Sequence, residues 1–213
     1  TKYNSGSKLL LRKISGKPTV GISISFEVSQ MNEHANQRGL NLVTSGMLLY
    51  GNKNHNYQQF VNYCTSNGIN FGVAARSETT TIRLKCFKEA LIPSLELLSD
   101  VISTPSFPKD QLGNMKQSYA SNLSRIKDYP DYYASQLWKE MIFGKTSNLV
   151  SREGTVSNLR KISKKKIEDW FSAYYLSNKF ALAVVGDINL GSVQKTCEKL
   201  FLRKESKVKT NPQ

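Results

Sequence analysis

The stretch Gly39–Asn52, GLNLVTSGMLLYGN, carries Leu40, Val43, Met47 and Tyr50 at helical spacing, and Leu48 and Leu49 widen the apolar stripe. That pattern predicts a largely buried helix. Ser45 and Gly46 sit in the middle of it. An interior Gly costs about 1 kcal/mol relative to Ala, and Ser competes with the helix for backbone hydrogen bonds. Something other than helix propensity placed these two residues there.

Outward from this helix the periodicities alternate between sheet and helix. On the N-terminal side, KLLLRKI (Lys8–Ile14), the turn Ser15–Pro18 and TVGISISFEV read as strand, turn, strand. In the second strand Val20, Ile22, Ile24, Phe26 and Val28 share one face, and Gly21, Ser23, Ser25 and Glu27 share the other, the period of a sheet covered on one side. On the C-terminal side, Tyr57, Phe60, Val61 and Cys64 repeat the helical spacing up to a stop at Asn67–Gly68. INFGVAAR and TTTIRLKCF follow as strands. A helix through Leu91, Leu95, Leu98 and Ile102 is closed by Pro105 and Pro108, and a polar helix runs from there to about Lys127. Another helix begins at Pro130. Ile167, Trp170, Phe171 and Tyr174 mark a further one, and FALAVVGDI is an apolar strand before a last helix. Strands and helices in this order, without regular alternation, predict an α+β fold: a mostly antiparallel sheet with helices packed on one face. The expected organisation is one domain over residues 1–202 and a polar tail over 203–213.

The 213 residues are 39% apolar and contain no low-complexity tract, which excludes a disordered chain. No stretch approaches the roughly 20 apolar residues of a membrane helix, so the chain reads as soluble, with cytoplasm and periplasm both open. Thirty Lys and Arg against 16 Asp and Glu give a net charge of +14, which permits an acidic partner. The basic clusters Arg160–Lys166 and Arg203–Lys209 lack interleaved aromatics and any nucleic-acid-binding signature, so no nucleic acid is expected as a partner, and a basic nucleic-acid binder is only the weakest of the alternative readings, one that requires DNA affinity falling steeply with salt. Lys164, Lys165 and Lys166 fall in a helix's first turn, where the macrodipole disfavours them; they are read as a solvated face or as facing something acidic. Cys64, Cys86 and Cys197 form no C-x-x-C pair and are expected in the core. His34 and His55 lie in polar runs, 21 residues apart, and are expected as solvated loop residues rather than metal ligands.

Taken together, YNSGSKLLLR, VGISISFEV, GLNLVTSGMLLYGN, YQQFVNYCTSNGINFGV, LIPSLELLSDVISTPSFPKDQL and LRKISKKKIEDWFSAYYLSNKFALAVVGDI resemble, in order and spacing, one domain of the pitrilysin, insulinase and mitochondrial processing peptidase family of zinc metallopeptidases. Active members carry H-x-x-E-H on the helix matching Leu40–Tyr50. Two His four residues apart share a face and hold one Zn²⁺, and the Glu activates the metal-bound water. Carried over, the motif falls on Leu42, Ser45 and Gly46. Leu has no lone pair, Gly has no side chain, and a Ser hydroxyl is too weak a base near neutral pH. The family's third ligand, a Glu, falls around 122–125, and no acidic residue lies between Asp110 and Asp128. The resemblance therefore implies no catalytic residue and no metal in this chain, with zinc expected only in a catalytic partner domain.

It also implies a context. Such proteases enclose peptide substrates in a chamber of four homologous domains, usually with one metal site, so this chain is expected to be a piece of a longer polypeptide and a non-catalytic wall of the chamber. Its expected partners are other homologous metallopeptidase domains and a peptide or protein substrate. The alternative is a scaffold without any associated peptidase, as in family members that are structural core subunits. Substrate backbone pairs in the family with an edge strand matching INFGVAA, so Asn70, Phe71, Gly72, Val73 and Ala74 are the candidate peptide- or partner-binding residues. A simply paired strand is the plainer reading. Ser45 and Gly46 are tolerated because no ligand has to be presented there, or because Gly46 lets a neighbouring element come close.

Overall fold

The computed structural model describes residues 1–3, 6–144, 147, 149–151, 153–176 and 179–202. The 203–213 tail and its basic cluster lie outside the described residues. Strand β1 (Lys8–Lys13) and strand β2 (Thr19–Phe26) open the fold, followed by α1 (Leu40–Met47), α2 (Tyr57–Ser66), β3 (Asn70–Ala75) and β4 (Thr80–Phe87). Then come α3 (Leu91–Ser103), α4 (Lys109–Ser124), α5 (Pro130–Phe143), α6 (Val156–Arg160), α7 (Lys164–Phe171), β5 (Phe180–Gly186) and α8 (Leu190–Cys197).

The five strands form one sheet in the order β1-β5-β2-β4-β3. β2 pairs antiparallel with β4 and β5, β3 pairs antiparallel with β4, and β1 pairs parallel with β5. The fold is α+β with a mostly antiparallel sheet, as the period-two strands imply. β1 and β2, though close in sequence, do not pair, because β5 lies between them. Composition explains the placement. FALAVVG carries no charge and tolerates a central position, whereas KLLLRK, with Lys8, Arg12 and Lys13, suits an edge.

One face of the sheet is packed. Val20, Ile22, Ile24 and Phe26 of β2, Leu182 and Val184 of β5, and Ile82 and Leu84 of β4 are buried in one core with Leu40, Val43 and Met47 of α1, Leu95 and Leu98 of α3, and Ile167 and Trp170 of α7. Cys64, Cys86 and Cys197 are free and buried, and burial pushes the Cys64 thiol up to about 11 and the Cys197 thiol up to about 12. Helix α2 buries a narrower stripe than its periodicity suggests: Phe60 and Cys64 are inside, but Tyr57 and Val61 are exposed. The helix covers the sheet near its edge strand, where Phe60 meets Phe71 edge-on with 5.4 Å between ring centroids, a favoured aromatic geometry.

The two sheet edges differ. Along β1 the chain start folds back, the Leu9 amide donating to the Thr1 carbonyl at 2.8 Å and the Thr1 ammonium to the Leu9 carbonyl at 2.7 Å. Along β3 no strand of the described residues pairs with the outer edge.

Candidate functional site

Helix α1 starts at Gly39, whose φ of 85° lies in the left-handed region and where a Cβ would stand 2.4 Å from the Glu153 carbonyl oxygen, so only glycine fits. No side chain of the cap residue satisfies the first turn. The buried Glu33 carboxyl does so from outside, accepting from the Gly39 amide at 3.0 Å and from the Asn41 amide. A negative group there complements the positive end of the helix. Burial nevertheless pushes the Glu33 carboxyl up to about 7, against the lowering by those two amides and by Arg38.

A pH dependence follows. A carboxyl that binds its proton more tightly in the folded than in the unfolded chain contributes stability that is full below the unfolded pKa, about 4.5, and is lost as pH rises through about 7. Each tenfold difference in proton affinity is worth about 1.4 kcal/mol. Urea unfolding is therefore expected to give a stability that falls by a few kcal/mol between about pH 5 and pH 7.5. Glu33→Gln is expected to flatten that slope.

One residue into the helix from there, Asn41 is a buried hub. Its Oδ1 accepts from Tyr175 Oη at 2.9 Å and Trp170 Nε1 at 3.3 Å, and its Nδ2 donates to Thr80 Oγ1 at 3.0 Å. Thr80 Oγ1 in turn donates to the Val28 carbonyl at 2.9 Å. The indole can only donate, which fixes the amide orientation. The hub ties α1 to α7 and to the sheet.

The next turn of α1 holds the positions that match the peptidase motif. Ser45 is buried, and its hydroxyl donates to the Leu42 carbonyl at 3.0 Å. Leu42 is half-buried. Gly46 faces α4: a Cβ there would stand 3.0 Å from Met115 Cε, 3.3 Å from Met115 Sδ and 3.5 Å from Tyr119 Oη. The sequence left two accounts of Gly46 open, and this geometry supports close approach, with Met115 occupying the space a larger side chain would need. At the far end of α4, in the 122–125 stretch, Ser124 Oγ donates to the Ala120 carbonyl at 3.0 Å and Arg125 stands 3.9 Å from Asp128. An alkyl group, a helix-bonded hydroxyl, a thioether and a phenol do not make a zinc donor set. Among the described residues no three His, Cys, Asp or Glu side chains converge.

Asn70, Phe71, Gly72, Val73 and Ala74 lie on β3, the edge strand without a partner on its outer side among the described residues. Phe71 and Val73 pack against the core, and Asn70, Gly72 and Ala74 take the other face. A Cβ at Gly72 would meet nothing within 4 Å. The edge strand and the α1 motif positions thus belong to neighbouring elements of one region, with α1 packed beside β3.

Of the histidines and the lysine cluster, only His55 departs from the sequence expectation. His34 is exposed, but His55 is half-buried against Tyr63, with ring centroids 5.0 Å apart, because Asn52 Oδ1 accepts from the Asn54 and His55 amides and folds the loop inward. Lys164 Nζ donates to the Ser106 carbonyl at 2.9 Å and stands 3.7 Å from Glu168, and Lys165 donates to Asp169 at 3.2 Å. These i, i+4 pairs offset the unfavourable macrodipole position. Asn41, Met115 and Tyr175 carry no signal in the sequence, since their importance lies in contacts with residues remote along the chain, up to 134 positions away for Asn41 and Tyr175; Glu33 carries none because its contacts, six and eight positions on, span a loop and follow no helical or strand period.

Comparison with known proteins matches these features to one family. The model for Insulinase (Peptidase family M16) matches residues 8–155. An uncharacterized zinc protease of Rickettsia bellii is 18% identical over 209 residues, covering 94% of this chain and 49% of the relative. Cytochrome b-c1 complex subunit 1 of Bos taurus is 21% identical over 191 residues, covering 88% of this chain and 39% of the relative. The peptidase M16 inactive domain from Pseudomonas fluorescens superposes with a TM-score of 0.86 at 20% identity, over 100% of this chain and 51% of that structure. The periplasmic protease PqqL from Escherichia coli does so with a TM-score of 0.85 at 13% identity, over 100% and 24%. The chain spans about half the length, or less, of the curated relatives it matches. With a family model matching most of its length and the same fold in the solved relatives, this chain belongs to the insulinase family of peptidases, M16.

Proposed function

We propose that this chain is a non-catalytic M16 domain that forms part of a peptide-holding chamber and supports proteolysis by a catalytic domain elsewhere. One observation carries the reading: the face that bears the metal motif in active members presents Leu42, Ser45 and Gly46 and is filled by Met115, while the neighbouring strand β3 keeps an open edge among the described residues. Zinc and its bound water would have no donors here, so no hydrolytic step runs through this chain. Backbone pairing along β3 needs no particular side chains, and Asn70 to Ala74 are the residues proposed to add a peptide strand.

The proposed partners are other homologous M16 domains. The relatives' greater length supports this. So does α5, which contains no buried residue and exposes Leu137, Trp138, Met141, Ile142 and Phe143, with Met141 80% exposed. A second reading, a scaffold with no peptidase attached, is favoured by the similarity to cytochrome b-c1 complex subunit 1. The two readings separate on whether a partner domain carries an intact H-x-x-E-H.

The test has two parts. The 213-residue chain alone is expected to hydrolyse no peptide and to hold no stoichiometric zinc by metal analysis; combined with a catalytic partner domain, it is expected to raise chelator-sensitive hydrolysis. Amide exchange with an extended peptide present is expected to slow at Asn70 to Ala74. One tight zinc per isolated chain overturns the reading, and so does protection confined to other strands.

A further inference from the structure

The backbone groups of β3 divide between its two sides. In an antiparallel pair, facing residues alternate between those that exchange both hydrogen bonds and those whose N–H and C=O turn to the opposite side. The Arg76 amide donates to the Thr79 carbonyl at 2.8 Å, which makes these two a bonded pair, and the register carries the alternation back to Ala74–Thr81, Gly72–Arg83 and Asn70–Lys85. The other side of β4 agrees: the Lys88 amide donates to the Pro18 carbonyl at 3.0 Å, which gives Cys86, Leu84, Ile82 and Thr80 to β2. Phe71 and Val73 therefore turn their amides and carbonyls outward. Among the described residues nothing bonds to them, whereas the Ile69 amide before them donates to the Cys64 carbonyl at 2.8 Å and Ala75 after them already has a partner.

Two residues make a short backbone anchor, so register and selectivity fall to side chains. Residues opposite each other on neighbouring strands share a face. The residue of an added strand that lies opposite Gly72 thus points to the face of Gly72 and of its β4 neighbour Arg83, whichever way that strand runs. Gly72 leaves the way open: a Cβ there would meet no atom within 4 Å. Beyond it Arg83 is exposed, and among the described residues no carboxylate pairs with it or with Lys85. Asn70, Gly72, Ala74, Arg83 and Lys85 are the β3 and β4 part of the lining of one cavity of about 610 Å³. An added strand lies two spacings from β4, about 9.6 Å, a gap that an Arg and a Glu side chain close between them when only a glycine lies beneath.

We propose that Gly72 and Arg83 form a specificity subsite: an extended peptide pairs with Phe71 and Val73, and its residue opposite Gly72 is Asp or Glu, held by the Arg83 guanidinium. That β3 takes a peptide at all rests on the reading given above; the choice of an acidic side chain rests on the open glycine and the cation behind it.

The test uses the 213-residue chain and an end-blocked peptide of about eight residues, the length of an ordinary strand, with Thr and Ser around one central Glu. Twins carry Gln or Lys in place of the Glu. Amide exchange followed by NMR is expected to slow at Phe71 and Val73, and to change little at Asn70, Gly72 and Ala74, whose amides are already bonded to β4. The Glu peptide is expected to bind about fivefold more tightly than the Gln twin at low salt, the difference shrinking as salt screens the pair. Arg83 is exposed, so its variants keep the fold. Arg83→Gln is expected to erase the difference without altering the Gln twin's affinity, and Arg83→Glu to pass the preference to the Lys twin. Equal binding of the Glu and Gln peptides, or a Glu preference that survives Arg83→Gln, overturns the subsite and leaves the edge reading standing. No slowing at Phe71 and Val73 with any of the three peptides at millimolar concentration overturns the edge reading and the subsite with it.

Discussion

Replacing Asn41 by Ala is expected to lower the stability of the fold by about 2–4 kcal/mol, since its buried partners lose hydrogen bonds at about 1–3 kcal/mol each and not all of them can be repartnered. Trp170 Nε1 and Tyr175 Oη both donate to the one Oδ1. Thr80 keeps its bond to the Val28 carbonyl, and the Tyr175 hydroxyl also lies close to Thr80 and Ser45, so the largest loss falls on the indole. In a domain of this size each kcal/mol moves the midpoint by roughly 2–4 °C, which puts the expected drop near 10 °C. Urea unfolding followed by tryptophan fluorescence measures it, because Trp170 reports the same site. Tyr175→Phe removes one donor and keeps the ring stacked on Phe171, whose centroid is 5.0 Å away, so its expected cost is about 1 kcal/mol. If Asn41→Ala costs no more than Tyr175→Phe, the amide is not the hub.

Rebuilding the lost motif with Leu42→His, Ser45→Glu and Gly46→His is expected to yield neither peptidase activity nor tight zinc, and to destabilise the chain. Two effects add. A His at position 46 needs the volume held by Met115 Cε and Sδ, and overpacking of this kind costs about 1–3 kcal/mol. A Glu at position 45, where Ser45 is 2% exposed, buries a carboxylate with no ligand to hold and no donor arranged for it, at a further cost of several kcal/mol unless it protonates. The third ligand is missing from α4 in any case. Because the triple variant is expected to fold poorly, Gly46→Ala supplies the control. Only the end of the flexible Met115 side chain has to shift there, so Ala is expected to be neutral or to stabilise by up to about 1 kcal/mol through helix propensity. Zinc bound stoichiometrically by a well-folded triple variant, measured by metal analysis beside a melting curve, would remove the case that this face has been given over to packing.

The lost motif was readable because it is a matter of residue types at fixed local spacing: Leu42, Ser45 and Gly46 state within one helical turn what α1 does not present. Period-two and helical patterns likewise identified β2, α1, α3 and α7, since burial of one face leaves its mark on every second or every third and fourth residue. What that periodicity leaves out is visible at α2 and in the His55 loop. Tyr57 and Val61 satisfy the helical spacing, yet a helix beside an edge strand has less sheet to cover. His55 looks like a loop histidine until the Asn52 side chain turns it onto Tyr63.

By itself the sequence determined the α+β class, the order of the strands and of the longer helices, and the absence of a metal-binding donor set on α1, because each depends on neighbours within a few residues; the five-residue α6 is too short to show a period. Tertiary structure alone decided that β5 enters between β1 and β2, that Met115 closes over Gly46, and that Asn41 gathers Trp170, Tyr175 and Thr80. These features join residues 39 to more than 150 positions apart, and such contacts are selected by packing and charge in the folded chain rather than by any local preference along it.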